Sequence, residues 1–200
     1  MTKFIIHRIN KISNLKKLKK YDGIEFDVRD RNNKLVLSHD PNNNGEELNK
    51  FIKKIKNQIL FINVKSYGLL KKIIPIVKKK NYFFLDLSFS EINFLIEKKM
   101  TKRVVMRFSI YENFDLKKIY FKNIKWIWFD LFKNYYISKK QYSYIKKHKK
   151  KICLVSPELL GKSKNDVKKF INYLNKNKII ADAVCTKKKF VNFWKKNYLL

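Results

Sequence analysis

Glycine and proline are scarce, with four Gly and three Pro in 200 residues. No segment has the composition of a flexible linker, so a single domain over residues 1–200 is expected. Cysteine is rarer still. Cys153 and Cys185 lie in apolar runs with no Cys-x-x-Cys or Cys/His spacing around them, which excludes a zinc or redox motif of that kind. They read as small buried residues in a reducing compartment. No apolar run reaches transmembrane length, and Phe4-Ile5-Ile6 is too short for the apolar segment of a signal peptide. The expectation is a cytoplasmic, soluble chain.

Acidic residues are also few, 16 against 48 Lys and Arg, which gives a formal net charge of +32. A field of that sign attracts polyanions and acidic membrane. Yet arginine is nearly missing from it: Arg8, Arg29, Arg31, Arg103 and Arg107 are the whole set. The abundance of Lys, Asn and Ile is what AT-rich coding produces. A dedicated reader of phosphate or bases would use the bidentate guanidinium more freely. Nucleic acid is therefore disfavoured as the partner. A basic module binding nucleic acid or anionic membrane stays as an alternative from another functional class, with peripheral membrane association open beside any enzyme reading.

Short apolar runs recur, each followed by a Lys-rich amphipathic stretch, the alternation of parallel βα units. Eight strands are predicted: Phe4–Ile6, Gly23–Val28, Leu60–Val64, Tyr82–Leu87, Arg103–Phe108, Trp126–Leu131, Ile152–Val155 and Ala183–Cys185. Their apolar runs are continuous rather than alternating, as in a sheet covered on both faces. Helical periodicity is expected over Glu46–Lys56, Leu69–Lys79, Ser90–Lys98, Ser138–Lys149 and Asn165–Asn177. Leu35–Leu37 reads as an extra strand after a polar turn at Asp30–Lys34. The class is α/β, and eight units close most simply into a compact (β/α)8 TIM-type barrel, with an open doubly wound sheet as the alternative.

In such barrels chemistry gathers at the C-terminal ends of the strands. His7 and Arg8 end the first run, Glu25 and Asp27 lie on the second, His39 and Asp40 follow the extra strand, and Asn63 and Lys65 end the third. Glu25 and Asp27, two apart, leave the same face of a strand. Two acids pointing together either pair with lysines or hold a hard cation such as Mg²⁺ or Ca²⁺. Two histidines beside a bound phosphodiester can divide proton transfer between them, one as base and one as acid. The third, His148, falls in a Lys run and reads as a solvated helix residue. Arg107 is a weaker candidate, better explained by an ion pair with Asp86 or Asp130 than by substrate. Asp86, Asp130 and Glu158 also stand near strand ends, while Trp126, Trp128 and Trp194 read as packing aromatics.

These segments, in this order, resemble the glycerophosphodiester phosphodiesterases of the phosphatidylinositol-phospholipase-C-like barrel group. Ile6-His7-Arg8 resembles the opening His-Arg motif, Gly23-Ile24-Glu25-Phe26-Asp27-Val28 the Glu-x-Asp strand, and Leu35-Val36-Leu37-Ser38-His39-Asp40 the segment ending in His-Asp. The resemblance covers about the first third of the chain. It implies a phosphoric diester hydrolase of lipid metabolism, acting on glycerophosphodiesters or related phospholipid head groups. His7 and His39 would be acid and base, Glu25 and Asp27 metal ligands, and Arg8 and Lys65 phosphate contacts. A substrate hydroxyl attacks phosphorus to give a cyclic phosphate, which water then opens; a lyase stops at the first step.

Three positions depart from the family pattern. Asn63-Val64-Lys65 stands where the family usually has Glu-x-Lys, so a neutral amide takes the place of the third charged metal ligand and a weaker metal site is expected. Ile9 replaces the usual Gly after His-Arg, and Lys187 follows Thr186 where Asp is usual. A degenerate barrel that binds a phosphorylated ligand without cleaving it is the alternative these departures raise.

Overall fold

The computed structural model describes residues 1–16, 18, 21–112 and 122–198. In chain order the strands are β1 (Lys3–Ile6), β2 (Gly23–Arg31), β3 (Lys34–Leu37), β4 (Glu46–Glu47), β5 (Ile59–Val64), β6 (Asn81–Leu85), β7 (Val105–Phe108), β8 (Trp126–Phe129), β9 (Lys151–Val155) and β10 (Ala183–Thr186). The helices are α1 (Ile12–Leu15), α2 (Leu48–Lys54), α3 (Leu70–Val77), α4 (Phe89–Glu97), α5 (Lys139–Lys147), α6 (Lys164–Lys176) and α7 (Val191–Asn197). The chain is mixed α/β and divides into two units, one of Met1–His7 with Val105–Leu200, the other of Arg8–Val104.

The first unit holds five parallel strands in the order β1-β10-β9-β8-β7. Their continuous apolar runs are buried, with Ile5, Ile127, Ile152 and Val184 fully enclosed. Helix α6 buries Val167, Phe170, Ile171 and Leu174, the i, i+3, i+4, i+7 face of an amphipathic helix. It starts at a capping box in which Ser163 and Asp166 each accept from the other's backbone N–H. Trp194 on α7 meets Phe170 edge to face at 6.1 Å. Trp126, Trp128 and Trp194 are all core side chains, and both cysteines are buried and unbridged.

The second unit is built on β2, β5 and β6, parallel and adjacent. An antiparallel extension runs β2-β3-β4. Phe26 and Phe51 close its core at 5.1 Å. β2 runs farther than expected, through Arg31, and the turn contracts to Asn32 and Asn33, with φ of 46° and 61°. Asparagine tolerates this left-handed pair, which matches the twist of a two-residue hairpin.

Other bounds shift for local reasons. The helix expected from Glu46 begins at Leu48, because Glu46 and Glu47 pair with β3. β6 stops at Leu85, since Asp86 turns to φ 59°. Arg103 lies in a 3₁₀ turn before β7, its guanidinium donating to Tyr82 O at 3.2 Å. Helices α1 and α7 were not expected. Among the described residues no helix is long and apolar enough to cross a membrane.

Candidate active site

β2 and β5 run in register with Asp27 opposite Asn63 and Glu25 opposite Phe61. The strand period of two brings Glu25, Asp27, Asn63 and Lys65 into one cluster, where the first half of β2 pairs with β5. Glu25 and Asp27 are each 1% exposed and Asn63 8%. Asn63 Nδ2 donates to Glu25 Oε1 at 3.3 Å, and Lys65 Nζ stands 3.8 Å from Asp27 Oδ1 and 3.4 Å from Asp86 Oδ2.

The segment after β1 closes the cluster from the other side. Arg8 takes φ 53°, an uncommon conformation for a side chain with a Cβ, and its backbone N–H thereby donates to Glu25 Oε2 at 2.7 Å. Its Nε lies 3.8 Å from Asp27 Oδ2, with the side chain 47% exposed. Asn10 grips Asp27 twice: Nδ2 donates to Oδ2 at 2.8 Å, and Oδ1 accepts the Asp27 N–H at 2.9 Å.

Burial, and after it the adjacent Asp27 carboxylate, push the Glu25 carboxyl up to about 8, against the smaller pull of the Arg8 N–H, the Asn63 amide and Lys65. Asn63 Oδ1 is buried with no hydrogen-bond partner among the described residues. Two carboxylates and an orphaned amide oxygen form a hard oxygen donor set of the kind that suits Mg²⁺ or Ca²⁺. Among the described residues no three His, Cys, Asp or Glu side chains gather that could hold a metal ion.

His39 borders an open cavity of about 520 Å³ lined also by Arg8, Asn10, Asp40, Asn44 and Glu46. Its Nδ1 lies 2.7 Å from Asp40 Oδ1. That hydrogen bond is the main cause holding the Asp40 carboxyl below its ordinary range. An ionised carboxylate only accepts, so in this pair the hydrogen lies on Nδ1. Arg8 and Asn10 thus belong both to the carboxylate cluster and to the cavity that His39 borders. His7 directly follows β1 in the first unit, with its N–H donating to Thr186 O at 3.1 Å.

The remaining candidates have partners within their own unit. Arg107 donates from Nη1 to Asp130 and has Glu112 Oε2 3.7 Å from Nε, so the ion-pair reading describes it. Glu158 Oε1 accepts from Thr186 Oγ1 at 2.5 Å and from the Lys187 N–H at 3.0 Å. His148 caps the end of α5 with Nδ1 2.8 Å from Tyr144 O. Two contributors escaped the sequence reading. Asn10 carries no periodic signal, whereas Arg29, two residues past Asp27 on the same strand, could have been found by extending the period of two.

No protein-family model matches the sequence. No curated protein matches it either. Among solved structures, a candidate glycerophosphodiester phosphodiesterase from Galdieria sulphuraria aligns over 98% of this chain and 98% of that one, with a TM-score of 0.69 at 13% identity. The glycerophosphodiester phosphodiesterase from Agrobacterium tumefaciens strain C58 aligns over 92% of this chain and 96% of that one, with a TM-score of 0.62 at 14% identity. Identity this low speaks for the fold and not for individual residues. The chain has the mixed α/β fold of these two proteins along nearly its whole length.

Proposed function

We propose that this protein is a metal-dependent phosphodiesterase that cleaves glycerophosphodiesters or related phospholipid head-group diesters by histidine acid/base catalysis, with the (β/α)8 barrel expected from the sequence as its frame. The observation that carries the reading is the buried cluster of Glu25, Asp27 and Asn63 where β2 pairs with β5, flanked by Lys65 and Arg8. Glu25, Asp27 and the Asn63 amide oxygen would hold a Mg²⁺ or Ca²⁺ ion. Bound there, the ion would supply positive charge against a phosphoryl oxygen.

This chain's own groups supply the rest. Arg8 and Lys65 offset the charge of the diester phosphate. His7 and His39 are assigned the protons: one takes the proton of the substrate hydroxyl that attacks phosphorus, the other protonates the departing alcohol. The new P–O bond closes a cyclic phosphate as the old one breaks, and water opens the ring in a second step. The net charge of +32 concentrates anionic substrate and favours the surface of acidic membrane.

One observation favours a second reading. Asp27 is already contacted by Asn10, Arg8 and Lys65, and both Glu25 oxygens by Arg8 and Asn63, as in a barrel that binds a phosphorylated ligand without cleaving it. Purified protein with Mg²⁺ or Ca²⁺ decides: the enzyme releases choline, ethanolamine or another alcohol from a glycerophosphodiester, and His7→Ala and His39→Ala abolish the release. Ligand binding without release across a panel of diesters and metals favours the second reading.

A further inference from the structure

We infer that Arg29 is a positioning residue of this site, a single guanidinium that ties the His39 loop to the Lys65 end of β5. The inference rests on the reading of His39 and Lys65 proposed above. Arg29 follows Glu25 and Asp27 on the same face of β2. Its Nε donates to the main-chain oxygen of His39 at 3.0 Å and its Nη1 to that of Lys65 at 3.0 Å. The two acceptors lie 10 and 36 residues away in sequence and stand near the start of two different connections, one after β3 and one after β5.

The chemistry of the fork explains why an arginine stands here. A guanidinium is planar and rigid, so two donors fix two acceptors at a set separation; an ammonium is a single point and cannot. In a chain whose 48 basic residues include only five arginines, lysine is the default cation, and position 29 departs from it. Both acceptors are uncharged carbonyls, so the bonds use the geometry of the group rather than its charge. Fixing the His39 and Lys65 main chains fixes the starting points of the imidazole and of the ammonium. On the proposed reading these are the proton carrier and the phosphate contact. Proton transfer and phosphate stabilisation both fall steeply when such groups are misplaced by about 1 Å.

The test compares Arg29→Lys, which keeps the charge and loses the fork, with Arg29→Ala, which loses both. His39 imidazole and backbone signals are recorded by ¹H–¹⁵N NMR, and kcat and KM are measured with glycerophosphoethanolamine and Mg²⁺. We expect Arg29→Lys to melt close to the wild type, with displaced and broadened His39 signals. Its kcat should fall roughly 10- to 100-fold, while KM changes less than about threefold. Added guanidinium ion should restore part of the Arg29→Ala rate. Unchanged His39 signals, or a wild-type kcat per folded molecule in Arg29→Lys, overturn the inference. If the wild type cleaves no diester, the proposed function fails, and the His39 signals still decide whether Arg29 positions that loop.

Discussion

Asn63 donates from Nδ2 to Glu25 Oε1 over 3.3 Å, while its own buried Oδ1 has no hydrogen-bond partner. The amide thus serves one acid of the cluster and leaves an oxygen with no hydrogen-bond partner among the described residues. A neutral oxygen holds a hard cation less tightly than a carboxylate does.

Replacing that amide with a carboxylate should therefore change metal binding and stability in opposite senses. Without metal, Asn63→Glu adds a third acid beside Glu25 and Asp27, and the melting temperature should drop by roughly 3 °C or more. With Mg²⁺ or Ca²⁺ the variant should bind about 10-fold more tightly than the wild type. Calorimetric titration and melting with and without EDTA check both halves. A variant that binds neither ion more tightly removes Asn63 from the ligand set.

The raised Glu25 carboxyl predicts a slope of stability with pH. The unfolded chain releases this proton near pH 4.5, whereas the folded chain holds it up to about 8. Across that window the folded state binds more protons, so stability falls as pH rises through it. Glu25→Gln removes the loss. In EDTA its melting temperature should exceed that of the wild type by roughly 3 °C or more at about pH 8, with the gap closing toward about pH 5. Parallel curves for the two proteins contradict the shift.

Gly45 is required by space rather than by φ. A Cβ there would lie 2.3 Å from Leu37 O and 2.8 Å from Leu37 C, backbone atoms that cannot rotate aside. Gly45→Ala should therefore cost about 1–3 kcal/mol. Because His39 follows Leu37 by two residues, the displaced backbone should also lower turnover. Melting and activity measured together test this; an unchanged melting temperature contradicts the close approach.

Arg107 should affect stability and not chemistry. Asp130 is 4% exposed, and Arg107→Met leaves its carboxylate without the guanidinium. Breaking a buried pair from one side costs about 3–5 kcal/mol. The value should sit at the low end because Leu131 N–H also donates to Asp130 Oδ1 at 3.0 Å. Denaturant unfolding gives the loss, and kcat per folded molecule should stay within about twofold of the wild type. A large fall in kcat with stability intact would make Arg107 a substrate contact after all.

The parallel strands were legible because strands covered on both faces must be apolar throughout, and such runs as Leu60-Phe61-Ile62 leave little other choice. Glu25 and Asp27 were legible as a pair because the strand period of two sends both carboxyls to one face. What stayed hidden depends on partners distant in sequence. Arg8 adopts φ 53° as its N–H meets Glu25, and Asn10 matters through Asp27, seventeen residues on; neither fact has a local signature. The bounds near Asp86 and Glu46 moved for the same reason, through a backbone turn and a strand pairing that hydropathy does not encode.

The proposed function is tested by product analysis by ³¹P NMR with a glycerophosphodiester, in the presence of Mg²⁺ or Ca²⁺ and again with EDTA. It predicts release of the alcohol with a cyclic phosphate or glycerol phosphate as the phosphorus product, loss of release in EDTA, and none from Glu25→Gln or His39→Ala. Intact diester in every metal condition, or turnover that neither EDTA nor Glu25→Gln diminishes, contradicts it.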